Sequence, residues 1–407
     1  MQNTTQPSFR HDICKEDKVM IPYGRQSISD DDVAAVSEVL RSDFLTQGPR
    51  VPEFEQAVAA YCGVAHGVAM NSATSALHVA CMALDVGPGD LVWTSPISFV
   101  ASANCARYCG ADVDFVDIDP ANSNMSAALL ADKLAAAKAS GRLPKVVIPV
   151  HLAGRSCDMA AIADLANEYG FSVIEDASHA IGGRYYGNPI GCCEFSDITV
   201  FSFHPVKIVT SAEGGMAMTE DPELASRMER LRSHGITRDE GEMHESPHGP
   251  WYYEQVELGY NYRMTDLQAA LGLSQFGRIE TFIEARHKIA ARYDTLLPDL
   301  PIKLPVPVPT DQGRSGLHLY PVRVDQTRGA PPRAVVFRRL RAAGIGVQVH
   351  YIPIHIQPDF KQFGFEHGQY PAAEAYYAEA LSLPMFPALT EEDQDTVVAA
   401  LTLALKA

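Results

Sequence analysis

Lys207 lies in Phe201-Ser202-Phe203-His204-Pro205-Val206-Lys207, directly after a β-rich run, and Asp176 lies earlier in Val173-Ile174-Glu175-Asp176-Ala177-Ser178-His179. An acid ending one buried strand and a primary amine following another are what pyridoxal phosphate (PLP) chemistry requires: a carboxylate for the pyridine nitrogen and an amine for the aldehyde. Joined to that aldehyde as an imine, the lysine activates it towards exchange with a substrate amine. Once released, it is placed to move a proton between substrate carbon and cofactor. Taken singly, Lys207 reads as a surface lysine, and its company is what changes the reading. The hydroxyl of Ser202 is within reach of a phosphate, and Ala212-Glu213-Gly214-Gly215 is a turn that admits close backbone approach.

Two further stretches suit the same chemistry. Asn71-Ser72-Ala73-Thr74-Ser75-Ala76 falls between a predicted strand and a predicted helix through Leu77, Val79 and Leu84. Small residues there leave backbone N–H groups free at a helix N-terminus, which with the hydroxyls suits a phosphate; a plain capped helix start has the same pattern. Phe99, in Ser95-Pro96-Ile97-Ser98-Phe99-Val100, is either core or a ring that stacks on the pyridine. Glu175 competes with Asp176. Strand alternation puts the two on opposite faces, so only one of them reaches the ring.

These residues need elements to hold them. With 407 residues, 46% of them hydrophobic, the chain suffices for one large domain and a smaller one. Short β-rich runs alternate with helical patterns from about 53 to 220: Gly67–Met70, Leu91–Trp93, Val113–Val116, Val146–Val150, Ser172–Ile174 and Ile198–Phe201. Runs apolar on both faces and separated by helices predict an α/β fold with a mainly parallel sheet covered on both sides. Polar residues at the C-terminal ends of its strands then line the ligand crevice. Residues 1–20 show no periodicity and read as a mobile arm; 21–264 form the large domain, and 265–407 a linking helix and the small domain. Ser29 opens a helix through Val33, Val36, Val39 and Leu40. Thr265-Asp266-Leu267-Gln268 has capping-box spacing and predicts one long helix, with Leu267, Leu271, Phe276, Ile279, Ile283 and Ile289 as its buried stripe, stopped by Pro298 and Pro301. In the small domain, Leu317–Val322 and Val347–Tyr351 read as strands around a helix near 332–343.

The net charge of −17 speaks against nucleic acid or an anionic membrane as partner. No run approaches the roughly 18 apolar residues of a membrane span, and the N-terminus lacks a basic region followed by an apolar one, so a cytoplasmic setting is expected. Eight cysteines (Cys14, Cys62, Cys81, Cys105, Cys109, Cys157, Cys192 and Cys193) lack paired metal-ligand spacing, which predicts buried free thiols and no metal site.

Together, Asn71–His78, Glu175–His179, Ser202–Lys207 with Glu213-Gly214-Gly215, and Leu258-Gly259-Tyr260-Asn261-Tyr262-Arg263-Met264 resemble the sugar-nucleotide aminotransferases of the DegT/DnrJ/EryC1/StrS type, within the fold-type I PLP-dependent transferases. The resemblance covers nearly the whole chain after residue 20. It implies that Lys207 carries the cofactor, that Asp176 rather than Glu175 binds the ring nitrogen, and that Ser202, Ala73 and Thr74 hold the phosphate. It also implies that His179 stands near the ring hydroxyl, and that Asn261 reaches the neighbouring subunit's phosphate site in a homodimer with shared active sites. One branch of the family has histidine in place of the lysine and removes a sugar hydroxyl; Lys207 favours amine transfer.

Within the family, Thr94–Cys105, Pro250–Gln255 and Val349–His355 are similar to the branch that serves pseudaminic acid synthesis. The implied substrates are L-glutamate, which leaves as 2-oxoglutarate, and a UDP-linked 2-acetamido-2,6-dideoxy-4-keto-β-L-arabino-hexose. The implied product is UDP-4-amino-4,6-dideoxy-N-acetyl-β-L-altrosamine. The enzymes that make 4-amino-4-deoxy-L-arabinose for lipid A share a similar lysine motif, and pocket shape separates the two. His350, Tyr351 and His355 fall in the stretch that resembles the sugar-binding edge, although a histidine beside proline and tyrosine is as often structural. Tyr23 and Arg25 are candidates for the nucleotide. A PLP-bound regulatory protein without turnover is the alternative from outside enzymology, and intact Lys207 and Asp176 argue against it.

Overall fold

The computed structural model describes residues 20–406, so the expected arm and Cys14 lie outside the described residues, apart from Met20 at the arm's end. Each run read as a strand of the large domain is one, with ends shifted by a residue or two: β1 His66–Met70, β2 Leu91–Thr94, β3 Asp112–Phe115, β4 Val146–Ile148, β5 Ser172–Asp176 and β6 Ile198–Ser202. A further strand, β7 Gly215–Thr219, completes a seven-stranded sheet of order β1-β7-β6-β5-β4-β2-β3. Pairings from β6 through β5, β4 and β2 to β3 are parallel, whereas β7 runs antiparallel to both of its neighbours. Gly-Met-Ala-Met-Thr has one β-branched residue and follows a glycine turn, so neither composition nor pattern marks it as a strand; full burial between β6 and β1 makes it one.

Alternation along the strands sorts the layers. After the N-terminal helices α1 (Asp30–Leu40) and α2 (Arg50–Cys62), Ile174 and Val200 pack on one face, with Ala76 and Val79 of α3 (Ala73–Ala83) and Ala101 and Cys105 of α4 (Ala101–Tyr108). Val173 faces the other way, with Trp93 and Leu130, and Phe201 joins Phe54 and Ile283 on that side. Asp176 and Ser202, two residues beyond Ile174 and Val200, therefore emerge on the α3 face at the C-terminal edge of the sheet.

The long helix expected after Thr265 has its capping box but is two helices, Asp266–Phe276 and Ile279–Leu296. Arg278 leaves helical geometry at φ −111°, ψ 12°, and its Nη2 donates to Asp32 at 2.5 Å. Asp32, fully buried in the helix capped by Ser29 (Asp30–Leu40), also accepts from Ser274 and Gln275 at 2.6 Å each. The break thus supplies the cation that a buried carboxylate needs. Leu267 and Leu271 of the expected stripe are only half-buried; Ala269, Ala270 and Gly272 form the inner face, because Phe54 leaves no room for larger residues. Phe276 and Ile283 belong to the same core as Phe54, whereas Ile289 and Tyr293, further along the second helix, belong to the core of the small domain.

That domain has an antiparallel sheet of Ile302–Lys303, Tyr320–Val324 and Ala380–Leu383, covered by helices Arg333–Ala342 and Glu391–Ala404. The expected strand Val347–Tyr351 is not formed. Only Gln348 bridges to Ser382, and the chain then leaves the sheet to carry His350 and Tyr351 to the large domain. Among the described residues no helix is long and apolar enough to cross a membrane. The seven described cysteines are free thiols, with Cys62, Cys81, Cys105 and Cys157 buried and Cys109, Cys192 and Cys193 partly so.

Gly215 is where the sheet meets the first turn of α3. A Cβ there would press into the backbone of Ala73 and, at 2.6 Å, of Ser72, where no side-chain rotation relieves it. Gly215→Ala is expected to lower stability by about 1–3 kcal/mol, read as a lower urea midpoint at unchanged slope.

Candidate functional site

At the C-terminal edge of β5 and β6 lies a cavity of about 290 Å³, lined by Asp176, Ser202, Lys207, Ala73, Thr74, Phe99, His179, Tyr23, His350 and Tyr351. The floor is Asp176. Its Oδ2 accepts from Ser102 Oγ at 2.5 Å, and its Oδ1 accepts from Ser178 Oγ at 2.6 Å and from the Ser178 N–H at 3.2 Å. Glu175 points through the sheet to the opposite layer, where His151, Ser196 and Thr199 donate to it; these partners outweigh its burial and hold its carboxyl below the usual range. Of the two acids, only Asp176 borders the cavity.

One end of the cavity is an anion cradle. Ser72 caps α3 by accepting the Ser75 N–H at 3.1 Å, which leaves the N–H groups of Ala73 and Thr74 at the helix start for a ligand. Ser202, on the neighbouring strand, adds its hydroxyl, and Gly215 lets the helix start sit against the sheet. Lys207 follows in the turn after β6. Burial pushes its amine down to about 8, against the opposing pull of Asp176. A phosphorylated pyridine aldehyde fits these residues: hydroxyl and N–H donors at one end, a carboxylate held by two serines beneath, and an amine short of its ordinary charge beside them. Phe99, 59% exposed, stands at the lip with its ring centroid 6.3 Å from that of Tyr351.

Three imidazoles face the lysine. His179 accepts the Ala153 N–H at Nδ1 (3.3 Å), so its proton is on Nε2 and points to the Tyr351 hydroxyl at 3.0 Å. Tyr351 thereby receives one hydrogen bond and keeps its own proton to give to a ligand, and burial, reinforced by Asp176, holds that proton in place. His318 packs against His179 with ring centroids 4.5 Å apart and planes tilted by 43°, and its Nδ1 is buried without a partner among the described residues. The third, His350, meets Ser382 Oγ at 2.9 Å. Burial, helped by the nearby lysine charge, keeps all three neutral, His350 down at about 3.

Three expected residues are not brought to the cavity. His355 is fully buried, paired with Glu374 at 3.0 Å and packed between Tyr370 and Phe115 of β3; it holds its segment against the large domain and does not line the cavity. Arg25 is exposed and does not line the cavity. Asn261 lies on the surface, bridged to Ser233 and outside the cavity of its own chain. Conversely, sequence reasoning missed Ser102 and His318. Neither carried a signal, because the first is one small residue in a helix and the second one residue of an apolar run, and folding alone sets them against Asp176 and His179.

The sequence profile of the DegT/DnrJ/EryC1/StrS aminotransferase family matches residues 26–402. The spore coat polysaccharide biosynthesis protein SpsC of Bacillus subtilis is 40% identical, over 93% of this chain and 96% of its own. The UDP-4-amino-4-deoxy-L-arabinose–oxoglutarate aminotransferase of Shewanella sediminis is 35% identical, over 94% and 97%. Among solved structures, PseC of Helicobacter pylori, an aminotransferase involved in the biosynthesis of pseudoaminic acid, superposes with a TM-score of 0.85 at 31% identity, over 95% of this chain and 99% of that one. The PLP form of Spr1654 from Streptococcus pneumoniae, described as a sugar aminotransferase, gives 0.83 at 30%, over 95% of this chain and 98% of that one.

The depressed amine has a consequence for stability. Between about pH 8 and the ordinary lysine range the unfolded chain binds a proton that the folded one does not, so stability attributable to this group rises with pH there and is at its lowest below pH 8. Lys207→Met, in protein freed of cofactor, is therefore expected to melt higher than the parent near pH 7, with the gap narrowing as pH climbs past about 8. A constant gap in calorimetry would reject the shifted amine.

Proposed function

Because the chain belongs to the DegT/DnrJ/EryC1/StrS aminotransferase family and is a PLP-dependent sugar aminotransferase, we propose that it moves the amino group of L-glutamate to C4 of a UDP-linked 4-keto-6-deoxy-N-acetylhexosamine of pseudaminic acid synthesis. The observation that carries this reading is the single cavity in which Lys207, Asp176 and the α3 helix start converge, in a chain that matches PseC over nearly its full length. The Shewanella relative supports a second substrate, a UDP-4-keto-pentose aminated to 4-amino-4-deoxy-L-arabinose.

When bound, PLP supplies an aldehyde that accepts the amino group and a ring that draws electrons from the carbon losing its proton. The protein supplies the rest. Ala73, Thr74 and Ser202 anchor the phosphate, which fixes the position of the reacting atoms relative to Lys207. Asp176, immobilised by Ser102 and Ser178, would hold the proton of the ring nitrogen. Lys207 would carry the aldehyde and, once displaced by the incoming amine, would take the proton from the α-carbon of glutamate; with the keto sugar it would return a proton, so that C4 of the sugar gains the amine and a hydrogen. A neutral amine is what this role needs, and burial provides it near pH 8. Tyr351, oriented by His179, has its proton free for an oxygen of cofactor or sugar.

Among the described residues, Lys207 is the only lysine or arginine lining the cavity. A phosphorylated cofactor, a diphosphate sugar and a dicarboxylate all need more positive or donor groups than one chain places there. This supports a homodimer in which Asn261 reaches the neighbouring phosphate site; Phe44, Leu258 and Trp251, apolar yet more than half exposed, are available for such an interface. A nucleotide sugar as substrate and the free state of the seven described cysteines support a cytoplasmic setting.

Incubation with glutamate and a panel of UDP-4-keto sugars, read by product mass and by NMR at C4, tests the substrate: amination of the N-acetylhexosamine is expected, and exclusive amination of the pentose would transfer the assignment to the arabinose route. Lys207→Ala is expected to abolish both turnover and the yellow absorbance. Mixing Lys207→Ala with Asn261→Ala subunits should restore activity above that of either variant alone, since a mixed dimer contains one intact shared site; no restoration would count against sharing.

A further inference from the structure

A second and larger cavity, of about 660 Å³, lies beyond Ala153 and Leu317. These residues connect it to the first cavity: the Ala153 N–H donates to His179, and Leu317 precedes His318. Its walls are apolar along Leu304, Val306 and Leu319. At one end it shares Arg155 and Arg314 with a polar recess of about 130 Å³, to which Arg184 also contributes.

The charges there are unevenly used. Arg155 donates to the carbonyls of Val306 and Pro307 at 3.0 and 3.3 Å, and Arg184 to that of Gly187 at 2.9 Å; neither has a carboxylate partner among the described residues. Arg314 is paired with Glu280, but its Nε is buried without a hydrogen bond. The recess has one carboxylate, Asp158, already engaged by the Tyr185 hydroxyl at 2.9 Å and the Ala161 N–H. At the far end of the cavity, Lys303 and Arg323 are both committed to Glu379, and Asp294 accepts from Tyr320. In a chain of net charge −17, guanidinium groups without a direct carboxylate contact are therefore gathered at one end of an apolar cavity large enough for a drug-sized molecule, with Asp119 acting on Arg155 and Glu280 on Arg184 only at longer range.

We infer that this is a second ligand site, separate from the site of amine transfer, which takes a small amphipathic anion: a phosphate, sulfonate or carboxylate against Arg155 and Arg184, and an apolar ring or chain against Leu304, Val306 and Leu319. Partly buried guanidinium groups hold an anion through charge-assisted hydrogen bonds that are stronger than neutral ones, and the apolar body adds burial.

The probe is 1-anilinonaphthalene-8-sulfonate, an aromatic body with one anionic group, titrated by fluorescence into PLP-loaded enzyme saturated with UDP so that the nucleotide's own pocket is filled. Saturable binding of one molecule per chain is expected. Arg155→Gln and Arg184→Gln should each weaken it about tenfold or more. Ala291→Trp, an exposed helix position on the cavity wall, should block it by filling the space while leaving amine transfer intact. Binding unaffected by all three substitutions, or a signal that UDP alone removes, would overturn the assignment.

Discussion

Burying a carboxylate without partners costs several kcal/mol, and Asp176 is 5% exposed. Its two oxygens are met by three donors, the hydroxyl of Ser102 from α4 and the hydroxyl and N–H of Ser178 from the turn after β5. These donors fix the acid where it lines the cavity, the position from which the proposed reading has it meet a protonated ring nitrogen. Strand alternation enforces the arrangement by sending Glu175 through to the opposite layer, where His151, Ser196 and Thr199 consume its charge. Two adjacent acids thus acquire separate roles from backbone geometry.

The rest of the cavity keeps charge scarce. Three imidazoles are held neutral, the tyrosine stays protonated, and the lysine is pushed towards its free amine. Low charge and low dielectric strengthen each remaining interaction, including those proposed for the helix start with a phosphate and for the carboxylate with a ring nitrogen. The requirement for Gly215 follows from the same crowding, because the cradle works only if the first turn of α3 touches the sheet.

Most of this was legible in the sequence where local chemistry dictates structure. The parallel strands are largely apolar, the helix starts at Ser29, Ser72 and Thr265 carry their caps, and Asp176 and Ser202 sit at strand ends with Lys207 in the turn that follows, where topology brings them together. What escaped depends on distant partners. β7 is a strand because of its neighbours, the break at Arg278 exists for Asp32, and Val347–Tyr351 leaves the sheet to reach another domain. His355 was misplaced for a related reason: Glu374 and Tyr370, which bury it, come later in the chain. Asn261 stands apart, since its expected role lies in a second copy of the chain.

The helix Ile279–Leu296 begins in one core and ends in the other. Swinging the two lobes apart would therefore mean bending an unbroken rod of 18 residues, about 27 Å long, and no proline or glycine within it offers a joint. The two cores are thus strung on one rod, and the exposed ring of Phe99 is left at the rim of the cavity.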